Sequence, residues 1–150
     1  MELKLPDEFR EFLKLLKVRN VRYLLVGSWV TGLLGYVRFT EDIDVWIADD
    51  DENILRLKDV LRDFAFPDKT LESLNLKGGN KIARFGRTPL RIDIMTSISG
   101  VDFQEAEKRK CSSEIDGLLV DRISAEDFYH NKATSARLKD LVDLENLPPL

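Results

Sequence analysis

The stretch Asp42-Ile43-Asp44-Val45-Trp46-Ile47 places two carboxylates two residues apart at the start of an apolar run. We predict a β-strand over Ile43–Ile47. Because side chains alternate across a strand, Asp42 and Asp44 share one face, while the other face can be buried. At roughly 6 Å and an effective dielectric near 20, the two charges repel by about 3 kcal/mol, which a hard divalent cation would relieve.

A second strand carries a third carboxylate. Residues Leu90–Ile94 are apolar apart from Arg91 and Asp93. If this strand pairs beside the first, about 4.8 Å away, Asp93 completes a cage of three carboxylates. Two other interpretations stay open: the first pair is a solvated acidic strand end that runs into Asp49–Asp51, or Asp93 marks the polar side of an edge strand.

Composition limits the class of protein. The 150 residues are 43% hydrophobic and 33% charged, which is typical of one globular domain with a core. No apolar run approaches the ~20 residues of a membrane span, and the first residues lack the apolar core of a signal peptide, so we expect a cytoplasmic protein. With one cysteine, Cys111, and one histidine, His130, an internal disulfide and a Cys/His zinc cluster are excluded.

Any metal ion would therefore be held by oxygen, which favours Mg²⁺ or Mn²⁺. The formal charge of −4 argues against a large nonspecific nucleic-acid surface. It leaves room for a local basic patch, and residues 108–110 are one candidate, although a charge run at a helix end is more often simply solvated.

Hydrophobic periodicity and turn residues predict alternating helices and strands. The predicted helices are Asp7–Val18, Ser28 through Gly35 with Ser28 as its cap, Glu52–Phe64, Asp102–Arg109, and a C-terminal portion that begins at the cap Ser124 and ends near Pro148. The predicted strands are Arg22–Val26, Ile43–Ile47, Lys81–Phe85, Leu90–Met95 and Leu118–Arg122, with a turn at Lys77–Asn80 and a hairpin around residues 86–89. This order predicts one α+β (α/β) domain over residues 1–150, with a small mixed β-sheet flanked by helices.

The junction at Gly27-Ser28 joins a strand to a helix. Such a junction points backbone N–H groups and a helix N-terminus at one place, which suits a phosphate group.

Three segments together resemble the nucleotidyltransferase fold of DNA polymerase beta, kanamycin nucleotidyltransferase and the minimal nucleotidyltransferases. They are Gly27-Ser28, the stretch from Arg38 to Ile47, and Arg91-Ile92-Asp93-Ile94. The similarity is greatest to small bacterial proteins related to the AbiEii type of toxin-antitoxin nucleotidyltransferase, and residues 131–144 look like the closing segment of that group. The resemblance extends over most of the chain, from about Tyr23 to Leu147.

The resemblance implies that Gly27 and Ser28 hold a nucleoside triphosphate and that Asp42 and Asp44 bind two divalent ions. Asp93 would ligate the second ion and help to activate the acceptor hydroxyl. In such sites two ions stabilise the attacking and leaving oxygens, while the carboxylates position the ions. Ser28 stands where a second glycine is frequent, which keeps the backbone donor.

The roles of six other residues depend on their surroundings in the fold. Thr40 can fix the turn before Asp42, and Arg38 either faces the triphosphate or pairs with Glu41 or Asp42. Lys132 is the first choice for a phosphate or base contact, and the alternative is an ion pair with Asp140 or Asp143. We expect Trp29 to pack on the core. For Arg137 and His130 the sequence assigns no role.

The sequence thus predicts transfer of a nucleoside monophosphate from an NTP to a hydroxyl of an unidentified acceptor, with release of pyrophosphate. The acceptor could be a tRNA, a protein or a small molecule, and a homodimer or a partner protein could supply its binding surface. Two alternatives stay open. One is a silent nucleotide-binding or antitoxin-like module of the same fold, and the other is a metal-dependent glycosyltransferase, whose Asp-any-Asp motif also binds a cation.

Overall fold

A computed structural model of the chain describes residues 3–64, 66, 71, 74–86 and 89–150. The strands are β1 (Tyr23–Val26), β2 (Asp42–Ile47), β3 (Ile82–Phe85), β4 (Arg91–Met95), β5 (Cys111–Ile115) and β6 (Leu118–Arg122). The helices considered below are α1 (Asp7–Val18), α2 (Ser28–Leu33), α3 (Asp51–Asp63), α4 (Phe103–Lys108), α5 (Ala125–Ser135) and α6 (Leu138–Asn146). Within the described residues, no helix is long and apolar enough to cross a membrane.

These strands form one mixed sheet in the order β3-β4-β2-β1-β6-β5. The pairs β1–β2, β3–β4 and β5–β6 are antiparallel, whereas β2–β4 and β1–β6 are parallel. The predicted fold class, a small mixed sheet flanked by helices, is confirmed. The strand β4 lies between β3 and β2, so the interpretation of Asp93 as the polar side of an edge strand is wrong.

The alternation in β2 separates two faces of the sheet. Ile43, Val45 and Ile47 are fully buried on one face, and a chain of aromatic contacts from Phe12 through Phe64 and Phe66 to Phe85 connects that face to α1. The other face carries Asp42 and Asp44. Farther along β2, α4 covers this face. There the Phe103 and Trp46 rings are nearly perpendicular, with their centroids 5.1 Å apart. The acidic face is therefore covered at one end and open at the other.

Most predicted boundaries lie within two residues of the observed ones. Asp7–Val18 and Leu118–Arg122 are confirmed at both ends, and the Ser124 hydroxyl accepts from the Asp127 N–H at 3.1 Å as the expected cap. The expected cap at Ser28 is wrong, because Gly27 is the N-cap and Ser28 is the first helical residue. That helix ends at Leu33 rather than Gly35. Arg87 and Thr88 of the predicted hairpin turn lie outside the described residues.

The sequence analysis missed two features near the C-terminus. The polar stretch Cys111–Ile115 forms the edge strand β5, which is paired with β6. The C-terminal helical portion is two helices, because Ala136 adopts a left-handed conformation with φ of 49° and ends α5.

The buried side chain of Asn53 ties the ends of β1 and β2 together. Its Oδ1 accepts from the Arg22 N–H at 2.7 Å, and its Nδ2 donates to the Arg22 carbonyl at 3.0 Å and the Ala48 carbonyl at 2.8 Å. Since a strand slipped by one residue turns every side chain to the opposite face, this anchor helps to hold the register that positions Asp44.

We predict that Asn53→Leu lowers the free energy of unfolding by about 3 kcal/mol, because leucine has a similar size but cannot pair the Arg22 N–H and the Ala48 carbonyl. The Arg22 carbonyl would keep its bond from the Ala48 N–H. Urea denaturation measures the change. The exposed Asn146 is the matched control, and Asn146→Leu should cost less than about 1 kcal/mol. Equal losses in the two variants would contradict the anchoring role.

Candidate active site

Three carboxylates lie on one face of two adjacent strands. In the parallel β2–β4 pair, Asp44 is the register partner of Asp93, and Asp42 is the partner of Arg91. Register partners in a sheet project to the same side, so Asp42, Asp44 and Asp93 are grouped, as the sequence predicts. Because Asp93 is only 8% exposed, the sheet holds part of this negative charge away from water.

Gly27 allows Asp44 to lie against β1. It follows Val26, the register partner of Asp44, and has φ of 74° and ψ of −154°, a region that is essentially restricted to glycine. A Cβ atom at this position would lie 2.0 Å from Asp44 Oδ2. The Gly27 carbonyl accepts from the N–H groups of Val30 and Thr31, which starts α2.

A cavity of about 610 Å³ opens over this face. All the predicted site residues line it: Gly27, Ser28, Arg38, Thr40, Asp42, Asp44, Asp93 and Lys132. Its walls also include Asn80, Ile82 and Arg84 near β3 and Asn131, Ser135, Arg137, Lys139 and Asp140 from the C-terminal helices. The structure therefore brings residues from across the chain to one cavity.

The carboxyl of Asp44 binds its proton unusually tightly. Burial, followed by the charges of Asp93 and Asp42, raises the pKa of Asp44 to about 6, although the charge of Lys139 opposes this shift. The pKa of Asp93 is also raised, mainly by burial and despite the charge of Arg84. A hydrogen bond between the two carboxyls raises the pKa of Asp44 and lowers that of Asp93, so Asp44 is the member that holds the proton.

Two exposed arginines partly neutralise the acidic face. Arg84 Nε lies 3.3 Å from Asp93 Oδ1, and Arg91 Nε lies 3.4 Å from Asp42 Oδ1. Both carboxylate oxygens are buried without a hydrogen-bond partner, so these contacts are ion pairs that do not satisfy the hydrogen-bonding needs of the acceptors. The site thus contains more buried carboxylate oxygens than hydrogen-bond donors to pair with them.

The donor set suits a hard cation, because three carboxylates supply oxygen ligands and two of their oxygens are unsatisfied. Among the residues that the structure describes, no group of three acidic, histidine or cysteine side chains is arranged to coordinate an ion. Strand pairing therefore brings the three residues of the predicted cage together. Their carboxyl groups, however, are directed toward one another and toward Arg84 and Arg91. Asp42, Asp44 and Asp93 are the residues that would hold a metal.

The segment before β2 is fixed by two side chains. Thr40 Oγ1 is within 3.2 Å of both the N–H and the carbonyl oxygen of Asp42, which confirms its predicted role in the turn. The Trp29 indole donates to the Asp42 carbonyl at 3.1 Å and packs edge-on against Phe9, so the expectation that Trp29 packs on the core is confirmed. Trp29 leaves Gly27 and Ser28 accessible to the cavity.

Lys132 is in the alternative arrangement, an ion pair. It is 4% exposed, and its Nζ lies 2.7 Å from Asp143 Oδ2, 3.5 Å from Asp140 Oδ1 and 4.8 Å from the centre of the Phe128 ring. Arg38 pairs with Asp143 at 3.0 Å, so the alternative in which it pairs with Glu41 or Asp42 is wrong. Its contact with a triphosphate stays a prediction. Its Nε is buried without a hydrogen-bond partner. These contacts join the segment before β2 to α5 and α6.

Asp140 is the second acidic member of this network. Burial alone would raise the pKa of Asp140, but hydrogen bonds from Ser135 and Arg137 and the charge of Lys132 lower it to about 2. Arg137 donates to Asp140 through its backbone N–H and its Nε. His130 is exposed, and its carbonyl accepts from the Thr134 hydroxyl.

Asp140 and Asp143 were predicted only as alternative partners of Lys132, and Arg84 and Lys139 were not predicted as components of the site. The signal for the two acidic residues is their spacing of three, which places both carboxylates on one face of α6. For Arg84 and Lys139 no local signal exists, because their proximity to Asp93 and Asp44 depends on strand pairing and helix packing.

Replacement of Gly27 by alanine should lower the free energy of unfolding more than replacement of another glycine with positive φ. Gly117 is the matched control, since it also has positive φ, of 81°, but its added Cβ would meet no atom within 4 Å. We expect Gly27→Ala to cost about 2 kcal/mol more than Gly117→Ala, because only the first displaces Asp44. Equal urea midpoints for the two variants would refute this close contact.

The raised pKa of Asp44 predicts a pH-dependent stability difference. The stability that it contributes is complete below its unfolded pKa of 3.8 and is lost as pH rises through its folded value of about 6. Measured in EDTA, the unfolding free energy of the native protein relative to Asp44→Asn should therefore fall by about 1 kcal/mol between pH 5 and pH 8. A difference that stays constant or increases would contradict the protonated state.

Comparison with known proteins agrees with this architecture. TM1012 of Thermotoga maritima, described as a candidate nucleotidyltransferase, superposes with a TM-score of 0.64 at 17% identity over 91% of this chain and 88% of the other. An antigenic nucleotidyltransferase-like protein of Paracoccidioides brasiliensis gives 0.53 at 19% identity over 93% and 72%. The lincosamide adenylyltransferase LnuA with bound lincomycin gives 0.52 at 17% identity over 97% of each chain. These similarities show the fold.

No curated protein sequence is a significant match to the chain. The narrower similarity to AbiEii-type proteins stays a prediction. The model of one protein family, described as "Nucleotidyl transferase of unknown function (DUF2204)", matches residues 6–148. Nearly the whole chain, including every carboxylate of the cavity, lies within this match, and the protein therefore belongs to that family of nucleotidyl transferase enzymes.

Proposed function

We propose that the protein transfers a nucleoside monophosphate from an NTP to a hydroxyl group of an acceptor, with Mg²⁺ or Mn²⁺ as its cofactor and pyrophosphate as the other product. Residues 1–150 would act as one domain. The observation that carries the proposal is the grouping of Asp42, Asp44 and Asp93 on one sheet face next to the Gly27 turn, with buried Oδ1 atoms on Asp42 and Asp93 that lack hydrogen-bond partners.

The three carboxylates would have two roles. Asp42 and Asp44 would hold the ions, and Asp93 would hold the second ion and orient the acceptor hydroxyl. When bound, the ions supply charge stabilisation to the phosphoryl oxygens during in-line displacement. The bond from the acceptor oxygen to the α-phosphorus forms as the bond from that phosphorus to the leaving pyrophosphate breaks, and the hydroxyl proton passes to Asp93.

The nucleotide would occupy the wall that contains Gly27, Ser28, Arg38, Thr40 and Lys132. The first turn of α2 directs backbone N–H groups at the triphosphate. Thr40 fixes the start of β2, and the unsatisfied Nε of Arg38 can donate to a phosphate oxygen. Lys132 contributes positive charge from within its ion pairs with Asp140 and Asp143.

A silent nucleotide-binding or antitoxin-like module is the second candidate. The ion pairs of Arg84 with Asp93 and of Arg91 with Asp42 favour it, because they partly satisfy the carboxylates without a metal ion. The family match favours nucleotidyl transfer over the glycosyltransferase alternative. The acceptor surface could be completed by a second copy of the chain or by a partner protein.

Asp42→Asn and Asp93→Asn should each reduce nucleotide transfer at least about a hundredfold, because each removes one charged oxygen ligand of the ions. The assay incubates the protein with each α-³²P-labelled NTP, Mg²⁺ or Mn²⁺, and RNA, protein and small-molecule acceptors. The matched control is Asp49→Asn, at an exposed carboxylate just beyond β2, which should retain full transfer.

Chelation with EDTA should abolish transfer by the native protein, and added Mn²⁺ should restore it. Transfer that survives in Asp42→Asn would reject the assignment of the metal site. Binding of NTP and Mn²⁺ by the native protein without transfer to any acceptor would favour the silent module.

A further inference from the structure

One segment of the chain is strongly basic although the protein is acidic overall. Residues 74–91 contain five Lys or Arg residues and no Asp or Glu, whereas the whole chain has 23 basic and 27 acidic residues. Arg87 lies outside the described residues, and Lys77 pairs with Asp51 at 2.8 Å. The remaining cations, Lys81, Arg84 and Arg91, belong to or adjoin β3 and β4, which form the outer part of the acidic face.

Arg84 and Arg91 project from the same sheet face as the carboxylates. Arg84 is the register partner of Asp93, and Arg91 is the partner of Asp42. Their side chains are 64% and 54% exposed, so the charged ends are accessible to solvent. Because β3 is an edge strand, a molecule can approach the carboxylates from this side over the two arginines.

The opposite side of the cavity is much more closed. Lys132, Asp140 and Asp143 are each less than 5% exposed and are paired with one another. Gly27 and Ser28 lie on that side, where the proposed function places the NTP. The second substrate of a transfer reaction can reach the same carboxylates from the β3 side, past Arg84 and Arg91.

Among the ion pairs of the described residues, Arg84 pairs only with Asp93, and Arg91 pairs only with Asp42. A cation held by those carboxylates would take over their charge and leave both guanidinium groups available for another anion. Guanidinium groups bind phosphate through paired, charge-assisted hydrogen bonds. A positively charged acceptor would instead meet two like charges on its route.

We propose that the acceptor carries a phosphate group near its reacting hydroxyl and that Arg84 and Arg91 bind this phosphate. The inference rests on the proposed function, since it names the chemical class of the second substrate. The phosphate can belong to a nucleic-acid end or to a phosphorylated small molecule. The new bond joins the acceptor hydroxyl oxygen to the α-phosphorus, pyrophosphate leaves, and the bound phosphate of the acceptor is unchanged.

The test uses three probes in the presence of Mg²⁺: a fluorescent single-stranded RNA oligonucleotide, glucose 6-phosphate and the cationic aminoglycoside kanamycin. Binding is measured for the native protein and for Arg84→Gln/Arg91→Gln, Arg84→Lys/Arg91→Lys and Lys14→Gln/Lys17→Gln. The last is the matched control, because it removes two exposed charges of α1 that do not line the cavity. Circular dichroism verifies that each variant is folded.

We expect at least one phosphate-bearing probe to bind and kanamycin not to bind. The glutamine pair should weaken that binding about tenfold or more, whereas the lysine pair should recover part of it and the control should match the native protein. If RNA is the ligand, the slope of log affinity against log salt should decrease by about 1.4 in the glutamine pair, as expected for two lost phosphate contacts on a single strand. The probe that binds identifies the source of the phosphate.

Unchanged affinity in the glutamine pair, binding of neither phosphate probe, or preference for kanamycin would overturn the inference. Binding of NTP with Mn²⁺ by the native protein is measured separately. A native protein that binds NTP but no phosphate-bearing probe would refute only the acceptor class. A native protein that fails to bind NTP would refute the proposed function itself.

Discussion

The pairing of Asp44 with Asp93 on neighbouring parallel strands is the constraint around which the site is organised. Two carboxylates are held side by side against their mutual repulsion, and one of them is pressed against the Gly27 backbone. The sheet can do this because the other face of β2 is fully buried in the core, which fixes the register of the strand. Burial then raises the pKa of Asp44 to about 6, so this carboxyl keeps its proton in mildly acidic solution.

The surrounding charges follow from this arrangement. Arg84 and Arg91 approach the outer carboxylate oxygens from the exposed side, while Lys139 opposes the rise in the pKa of Asp44 from the helical side. These cations reduce the repulsion without satisfying every buried oxygen. The Oδ1 atoms of Asp42 and Asp93 therefore stay buried without hydrogen-bond partners, and the proposed metal ion would use them as ligands.

The C-terminal helices provide the closed wall of the cavity. Lys132 forms ion pairs with Asp140 and Asp143, and Asp143 also binds Arg38, so the two helices and the segment before β2 are connected by buried charges. Removing one member of such a network would leave a buried charge unpaired, which is strongly destabilising. The network therefore has a structural role in addition to any contact with a nucleotide.

Local sequence patterns predicted most of the helices and strands and the position of Asp42 and Asp44 on one strand face. Alternation alone placed Asp42 and Asp44 on one face, and the periodicity of α1 predicted both of its ends. The break between α5 and α6 was missed because Ala136 has no intrinsic preference for positive φ. The edge strand β5 was missed because Ser112, Ser113 and Glu114 are polar and leave only Cys111 and Ile115 as apolar residues of this strand.

The sequence by itself determined which chemical groups are present and which strand face carries them, because backbone geometry repeats within each element. Only the tertiary structure decided that Asp93 lies beside Asp44, that Arg38 pairs with Asp143, and that Arg84 and Arg91 reach the carboxylates. These relations join residues far apart in the chain, and strand order and helix packing set them. No local pattern encodes such distances, since they depend on how the whole sheet and its covering helices bury their apolar faces together.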